Sequence, residues 1–164
     1  TTLFRSVYGG FNTSLSWKGF DLSAIFAYSI GGYIYNRDIT MILHNGSLEG
    51  RDWSTEILRR WTPENRYTDV PALSTTSNNW NSASTRFLQN NSYMRLKNLT
   101  LSYNLPKQLI SKLALSSVQV FVQGDNLFTI HRNQGLDPEQ GITGITYYRY
   151  PAMRTISGGI NLSF

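Results

Sequence analysis

Apolar and polar residues alternate with a period of two along several stretches of the chain. From residue 9 to residue 17, one parity is apolar and the other is polar: Phe11, Leu15 and Trp17 against Asn12, Ser14 and Ser16. Successive side chains of a β-strand point to opposite faces, so this pattern predicts a strand with one apolar and one polar face. After a Lys18-Gly19 turn, residues 20–30 alternate in the same way, and the two stretches together predict a β-hairpin.

Three further stretches, residues 99–105, 118–128 and 155–164, alternate similarly and predict three more strands. Pro106 ends the first of them because proline has no amide hydrogen for a β-ladder. Phe121 interrupts the polar row of the second. Arg95 and Lys97 share parity with the apolar residues that follow them. The sequence leaves two arrangements open for this pair: both face lipid and bind lipopolysaccharide phosphates, or a β-bulge turns them to the polar side.

The connections between these strands are shorter after the first and third strands and longer after the second and fourth. Short turns at one end and long loops at the other are typical of outer-membrane β-barrels, whose long loops lie outside the cell. We expect the longest connection, residues 34–91, to be a folded extracellular loop, because unstructured connectors of that length are uncommon. It contains one predicted short helix over residues 54–61, with Ser54 or Thr55 as N-cap and Pro63 beyond its end.

Composition narrows the possible functions. Charged residues make up 15% of the chain, against about 25% in an average soluble domain. With no cysteine, the chain has no disulfide, thiolate metal site or thiol nucleophile. The formal net charge of +5 comes from scattered basic residues, so we do not expect nucleic-acid binding. No apolar run reaches the length of a transmembrane helix.

Alternating strands alone fit a soluble β-sandwich or jelly roll as well as a membrane barrel. The aromatic residues favour the barrel, since they fall at both ends of the apolar faces with smaller aliphatic residues between them. The predicted girdle residues are Phe11, Trp17, Phe20, Tyr28, Tyr103, Phe128 and Phe164. We therefore predict an all-β fold: about five antiparallel strands of a large transmembrane β-barrel with long extracellular loops. Five strands cannot close a barrel, so we expect the chain to be part of a longer one.

Several blocks of the chain are similar, in order, to the C-terminus of SusC/RagA-type TonB-dependent transporters. The four downstream blocks are YMRLKNLTLSYNLP (93–106), VQVFVQGDNLF (118–128), GLDPE (135–139) and YPAMRTISGGINLSF (150–164). Two upstream blocks, GFNTSLSWKGFDLS (10–23) and RWTPEN (60–65), also resemble the family. The resemblance therefore covers nearly the whole chain.

The resemblance implies that residues 1–164 form the C-terminal part of a barrel of about 22 strands that encloses a plug. The plug domain, the earlier strands and the part that reaches the TonB complex would lie outside these residues. It further implies a location in the bacterial outer membrane, a SusD-like lipoprotein partner, and uptake of an oligosaccharide or oligopeptide. Neither a cofactor nor an enzymatic reaction is expected.

Two groups of residues are candidates for contacts with other molecules. Aromatic residues of the predicted extracellular loops could stack on sugar rings or peptide side chains or contact the lipoprotein, although packing within the loop explains each one more simply. They are Trp53, Trp61, Tyr67, Trp80, Tyr147, Tyr148 and Tyr150. At the end of the chain, one face of the last strand resembles the signal read by the outer-membrane assembly machinery, and it would also suit a lipid-facing strand. Its residues are Ile156, Ile160, Leu162 and Phe164.

Other polar motifs give weaker evidence for a functional site. His44 and His131 lack the spacing of a metal or catalytic site, so we interpret both as solvated loop histidines. Asp137 and Glu139 could be paired carboxylates or calcium ligands, but their Gly-Leu-Asp-Pro-Glu context favours a structural turn. The GITGIT repeat at residues 141–146 lacks the lysine of a phosphate loop and predicts a flexible loop.

Two other function classes fit parts of the pattern. A soluble secreted carbohydrate-binding β-domain would use the apolar faces as an inter-sheet core and the loop aromatics as its site. A non-transport barrel adhesin would use the same loops for attachment. The first would be stable without detergent, and the second would have no plug domain or lipoprotein partner.

Overall fold

The computed structural model describes residues 7–44, 48, 50–74, 82–111, 115–133, 135–139, 144–146 and 148–164. The described residues of 7–32, 91–138 and 150–164 form one compact unit, which we call the sheet unit. Those of 33–90 and 139–149 form a second compact unit, which we call the loop unit. The strands, numbered along the chain, are β1 (Val7–Trp17), β2 (Phe20–Ile30), β3 (Tyr33–Asn36), β4 (Leu88–Asn90), β5 (Tyr93–Asn104), β6 (Ser117–His131), β7 (Ile145–Thr146) and β8 (Thr155–Ser163).

The sheet unit contains a five-stranded antiparallel sheet in the order β1-β2-β5-β6-β8. These are the five strands that the alternation predicts, and the prediction is confirmed. The main difference is that β5 begins at Tyr93, well before the regular alternation, and β6 extends to His131. Both long connections leave the sheet from the same end, which we call the loop end, because the strands alternate in direction. The short connections, from β1 to β2 and from β5 to β6, lie at the opposite end, which we call the turn end.

The strand register gives this sheet one apolar and one polar face. Leu15, Leu22, Leu101 and Val122 align in one transverse row, and Ser14, Ser23, Thr100 and Gln123 align in the next row on the opposite face. Many of the large apolar side chains on this face remain open, for example 40% exposed at Leu22 and 77% at Ile156, whereas Ala24, Leu96 and Val118 are buried. An inter-sheet core would bury such residues. A contiguous apolar face of this extent instead requires an apolar surrounding medium.

The register also groups the aromatic residues of the apolar face. Trp17, Phe20 and Tyr103 share a row at the turn end, and the Phe20 and Tyr103 ring centroids are 4.4 Å apart. Towards the other end, Phe11 stacks on Phe26 at 4.7 Å. Phe128 lies in the same row as Phe11 and Phe26, and Tyr28 lies one row further along the apolar face. Phe164 follows β8 and is almost fully exposed. Their role as membrane girdles stays a prediction.

A pair of β-bulges decides the direction of Arg95. Between Leu99 and Leu96, β5 has one more residue, Lys97, than β2 has opposite it. At the same level β6 accommodates another additional residue, where Asn126 adopts a φ of 52°. A bulge reverses the parity of the residues beyond it. Leu96 therefore stays on the apolar face, and Arg95 lies on the polar face opposite Thr129.

The loop unit has regular structure that the alternation does not predict. β3 pairs with β4 in antiparallel and with β7 in parallel orientation. The helix α1 (Arg37–Ile42) follows β3 directly, and the side chain of Asn36 caps it by accepting a hydrogen bond from the Ile39 amide at 3.0 Å. The expectation of a folded loop agrees with this arrangement.

The helix predicted at residues 54–61 is present in a different form. It is a 3₁₀ helix, Thr55–Arg59, and its N-cap is Ser54, whose hydroxyl accepts from the Glu56 amide at 3.3 Å. The described residues also contain a second 3₁₀ helix, Thr85–Phe87, and α2 (Lys107–Ile110), between β5 and β6. None of the helices in the described part of the chain is long and apolar enough to cross a membrane.

The expectation of a flexible loop at residues 141–146 is wrong for its second half. Ile145 and Thr146 form β7, Thr146 is fully buried, and the Tyr35 amide donates to the Gly144 carbonyl at 2.7 Å. A two-residue strand has no period to detect, so only pairing with β3 reveals it. Residues 141–143 lie outside the described residues.

The β5 bulge can be tested with single cysteine variants of the full-length protein, each carrying a fluorescent label in lipid bilayers. We expect nitroxides on the lipid acyl chains to quench labels at Met94→Cys and Leu99→Cys, and a water-soluble quencher to act on Thr100→Cys. Positions 94 and 99 are an odd number of residues apart, so a regular strand would place them on opposite faces. Opposite quenching at these two positions would therefore contradict the bulge.

Candidate functional site

Hydrogen-bonded carboxylates and amides cover the polar face of the five-stranded sheet. Asp21 accepts from the Ser16 hydroxyl at 2.5 Å and from the Asn104 side-chain amide at 2.7 Å. Nearer the loop end, Asp125 accepts from the side-chain amides of Asn98 at 2.8 Å and Gln123 at 3.2 Å. Charged groups are costly against hydrocarbon, so this face suits contact with water and polar solutes.

The polar row continues to β8 with one aromatic interruption. Gln119 donates to the Ser102 hydroxyl at 3.3 Å and accepts from the Asn161 side chain at 3.1 Å. Phe121, which breaks the polar pattern of β6, lies opposite Gly159. A Cβ atom at that glycine would come within 2.8 Å of the Phe121 ring. The glycine thus provides the space in which the ring lies against the sheet.

Arg95 and Asp137 form a buried ion pair on the polar face. Arg95 Nη2 is 2.5 Å from Asp137 Oδ1, and the two side chains are only 4% and 9% exposed. Arg95 Nε also donates to the Thr129 hydroxyl at 2.9 Å, while Asp137 Oδ2 accepts from the Ala152 amide at 2.6 Å. The pair therefore joins β5, β6 and the segment that leads into β8.

This ion pair identifies the face that Arg95 occupies and the partner of Asp137. The bulge turns Arg95 to the polar face, and Lys97 is the additional residue at the bulge itself. Asp137 lies in an irregular, bent segment that follows Gly135, whose φ is 70°, and its carboxylate pairs with Arg95. Glu139 is exposed and belongs to the loop unit. Among the residues that can be described, no group of three or more histidine or acidic side chains could hold a metal ion.

In the loop unit, the RWTPEN block forms a tight turn that presents Tyr67. The Asn65 side chain donates to the carbonyls of Arg59 at 3.0 Å and Arg60 at 3.3 Å, and the Trp61 amide donates to the Val70 carbonyl at 2.8 Å. Tyr67 is fully exposed on this turn. It borders an open cleft whose other lining residues are Arg59, Asn65, Arg66, Thr68 and Asp69.

The interpretation of His44 as a solvated histidine is wrong. Its side chain is 0% exposed and meets Trp53 edge-on, with the ring centroids 5.0 Å apart. Its Nδ1 accepts from the Leu48 amide at 3.4 Å. Trp53, nine residues further along the chain, is one of its contacts, and no period-two or helical pattern around His44 indicates its burial. His131 is exposed, as expected, but it is the last residue of β6 and not part of a loop, and its Nδ1 lies 2.9 Å from the Asn133 carbonyl oxygen.

The other aromatic candidates differ in their exposure. Tyr150, in the sheet unit, is almost fully exposed, so packing within a loop does not explain it or Tyr67. Trp61 and Tyr148 are partly exposed and share the loop unit with Trp53 and Tyr67. Trp80 and Tyr147 lie outside the described residues.

Sequence reasoning missed Asp38 as an organising residue. Its carboxylate accepts from the Thr146 hydroxyl at 3.3 Å and from the Tyr148 amide at 3.0 Å. These bonds attach the second long connection to α1. The available signal was an acidic residue in the first turn after an Asn N-cap, which identifies the start of a helix but not its distant partners.

Comparison with known proteins gives the family. No family model matches the chain. It is 34% identical to TonB-dependent receptor P3 of Formosa agariphila and 30% identical to TonB-dependent receptor P26 of the same organism, in each case over 94% of its own length. This chain belongs to the TonB-dependent receptors. It spans 16% of the length of each of these relatives.

Solved structures place this receptor segment with the SusC/RagA type. It superimposes on the RagAB peptide importer in its open-open state with a TM-score of 0.87 and 34% identity, over 99% of this chain and 17% of that one. The closed-closed state gives a TM-score of 0.86 at 34% identity, over 99% of this chain and 18% of that one. The receptor segment is therefore part of an outer-membrane β-barrel, which excludes the soluble secreted domain.

The buried ion pair yields a stability prediction. In the full-length receptor, we expect Asp137→Asn to lower the free energy of unfolding by about 3–5 kcal/mol, because Arg95 is left buried without its counter-charge. Urea titration in lipid vesicles measures this change. The control is Asp69→Asn, which removes an exposed ion pair with Arg59 and should cost less than about 1 kcal/mol. Equal effects of the two substitutions would contradict the importance of burial.

Proposed function

We propose that this segment supplies five strands and two long extracellular loops of an outer-membrane transporter that imports an oligopeptide or oligosaccharide. The transporter would work with a SusD-like lipoprotein, and the TonB complex would drive it through a plug encoded outside these residues. The observation that carries the proposal is the division of the sheet into an exposed apolar face and a hydrogen-bonded polar face, in a segment similar to a peptide importer.

The two faces have different roles in this proposal. The apolar face contacts lipid and, near the loop end, lipopolysaccharide, with the aromatic rows at the two interfaces. The polar face lines the lumen, where it stays hydrated and contacts the plug or the solute. No covalent bond is made or broken in the solute, so its passage depends on binding and on motion of the plug.

An oligopeptide is the first candidate substrate, because the solved structures that resemble the segment belong to a peptide importer. The exposed rings of Tyr67 and Tyr150 could contact peptide side chains or stack on sugar rings. An oligosaccharide is therefore the second candidate.

The last strand would also carry the assembly signal. Ile156, Ile160 and Leu162 align on the apolar face of β8 opposite β6, and Phe164 follows them. Together they give the outer-membrane assembly machinery an apolar strand to recognise.

Uptake into cells tests the proposed function. Cells that produce the full-length receptor and its lipoprotein should accumulate a labelled oligopeptide pool or a labelled oligosaccharide pool, and deletion of tonB should abolish accumulation. Cells without the receptor are the control. Accumulation that is independent of TonB, or surface attachment without accumulation, would contradict the proposal and favour the adhesin alternative.

The Tyr67 turn predicts one contact with the lipoprotein. A rigid, exposed aromatic residue is typical of interface hot spots, so we expect Tyr67→Ala to weaken lipoprotein binding about tenfold. The matched control is Leu58→Ala, another exposed apolar residue of the loop unit, which should change the Kd less than about threefold. Calorimetry with the full-length receptor in detergent measures both values. An unchanged Kd for Tyr67→Ala would exclude this contact.

A further inference from the structure

A cleft of about 290 Å³ opens beside the buried ion pair of the sheet unit. Its inner wall consists of Arg95, Thr129 and Asp137, and its rim includes His131 and Arg154. Arg95 and Thr129 belong to the polar face of the sheet, so the cleft lies on that face. Leu136, Pro138 and Pro151 supply apolar wall.

Hydrogen bonds hold the segment that carries Arg154 in place. Asp137 accepts from the amide of Ala152 at 2.6 Å, and the Asn126 side chain donates to the carbonyl of Met153 at 3.3 Å. Thr155, directly after Arg154, pairs with Asp125 as the first residue of β8. The backbone on both sides of Arg154 is therefore fixed relative to the cleft.

The cleft's lining residues Arg95, Asp137 and Arg154 together carry one positive charge in excess. Arg95 and Asp137 neutralise each other at its inner wall, whereas Arg154 is exposed and forms no ion pair with any residue of the described part of the chain. The nearby carboxylate of Asp125 accepts hydrogen bonds from Asn98 and Gln123. A guanidinium group on a fixed backbone can bind a carboxylate through two parallel hydrogen bonds.

We propose that this cleft binds a carboxylate group of the transported ligand and that Arg154 is the contacting residue. The inference rests on the proposed function, and it narrows the substrate class to solutes with a carboxylate. The C-terminus of an oligopeptide and the uronic acid of an oligosaccharide both supply this group. Arg95 and Asp137 act as positioning residues, since they hold Ala152 and thereby the segment next to Arg154.

The test uses the full-length receptor with its lipoprotein in detergent and four probes. These are a mixed-sequence octapeptide pool that lacks aspartate and glutamate and has free C-termini, the same pool with C-terminal amides, a galacturonic acid hexamer and the neutral hexamer of glucose. We expect the receptor to bind at least one acidic probe about tenfold more tightly than its neutral counterpart. Arg154→Gln should remove that preference without weakening the neutral probe, and Arg154→Lys should retain part of it.

Lys107→Gln is the matched control, because it removes one exposed positive charge at the turn end of the sheet. It should keep the preference. Preference for the free peptide over its amide identifies a C-terminus as the source, and preference for the galacturonic acid hexamer identifies a sugar acid. Binding without preference for either acidic probe, or a preference that survives Arg154→Gln, overturns the carboxylate site and leaves the proposed function standing. Failure of the wild-type receptor to bind any probe overturns both.

Discussion

Each strand of the sheet unit meets two different surroundings, because side chains alternate along an extended backbone. Leu22 and Ser23 are neighbours in the chain, yet one lies on the apolar face and the other among hydrogen-bonding groups. A shift of one residue in register would exchange the two sets, placing polar groups against lipid and leucines against water. The register of the strands, together with the bulges in β5 and β6, keeps the apolar and polar side chains on separate faces across all five strands.

The bulge at Lys97 is the clearest example. Without it, Arg95 would lie on the apolar face, where a charge within the lipid is costly. With it, Arg95 reaches Asp137, and the ion pair holds the approach to β8 through the Ala152 amide. Burial makes this pair important, because either charge left alone would be poorly solvated. One additional residue in a strand therefore positions both the last strand and the cleft beside it.

The loop unit is organised by a different kind of contact. Its sheet is short, and polar side chains attach its parts: Asn36 caps α1, Asp38 binds the second long connection, and Asn65 closes the turn below Tyr67. Such bonds hold the backbone of segments that carry exposed aromatic residues, Tyr148 directly and Tyr67 through the turn that precedes it. That arrangement suits a surface that binds a partner or a solute, because little conformational freedom is lost on binding.

The sequence by itself determined the five strands, their two faces, the aromatic rows and the family, because period-two alternation and ordered motifs are local properties. Only the tertiary structure decided the direction of Arg95, the partner of Asp137, the burial of His44 and the pairing of β7 with β3. The burial of His44 against Trp53 involves a residue nine positions away, and the others depend on contacts between residues much further apart in the chain, such as Arg95 with Asp137 or Tyr35 with Ile145. A local pattern specifies which face a side chain occupies, whereas the residue it meets there depends on how strands and connections pack.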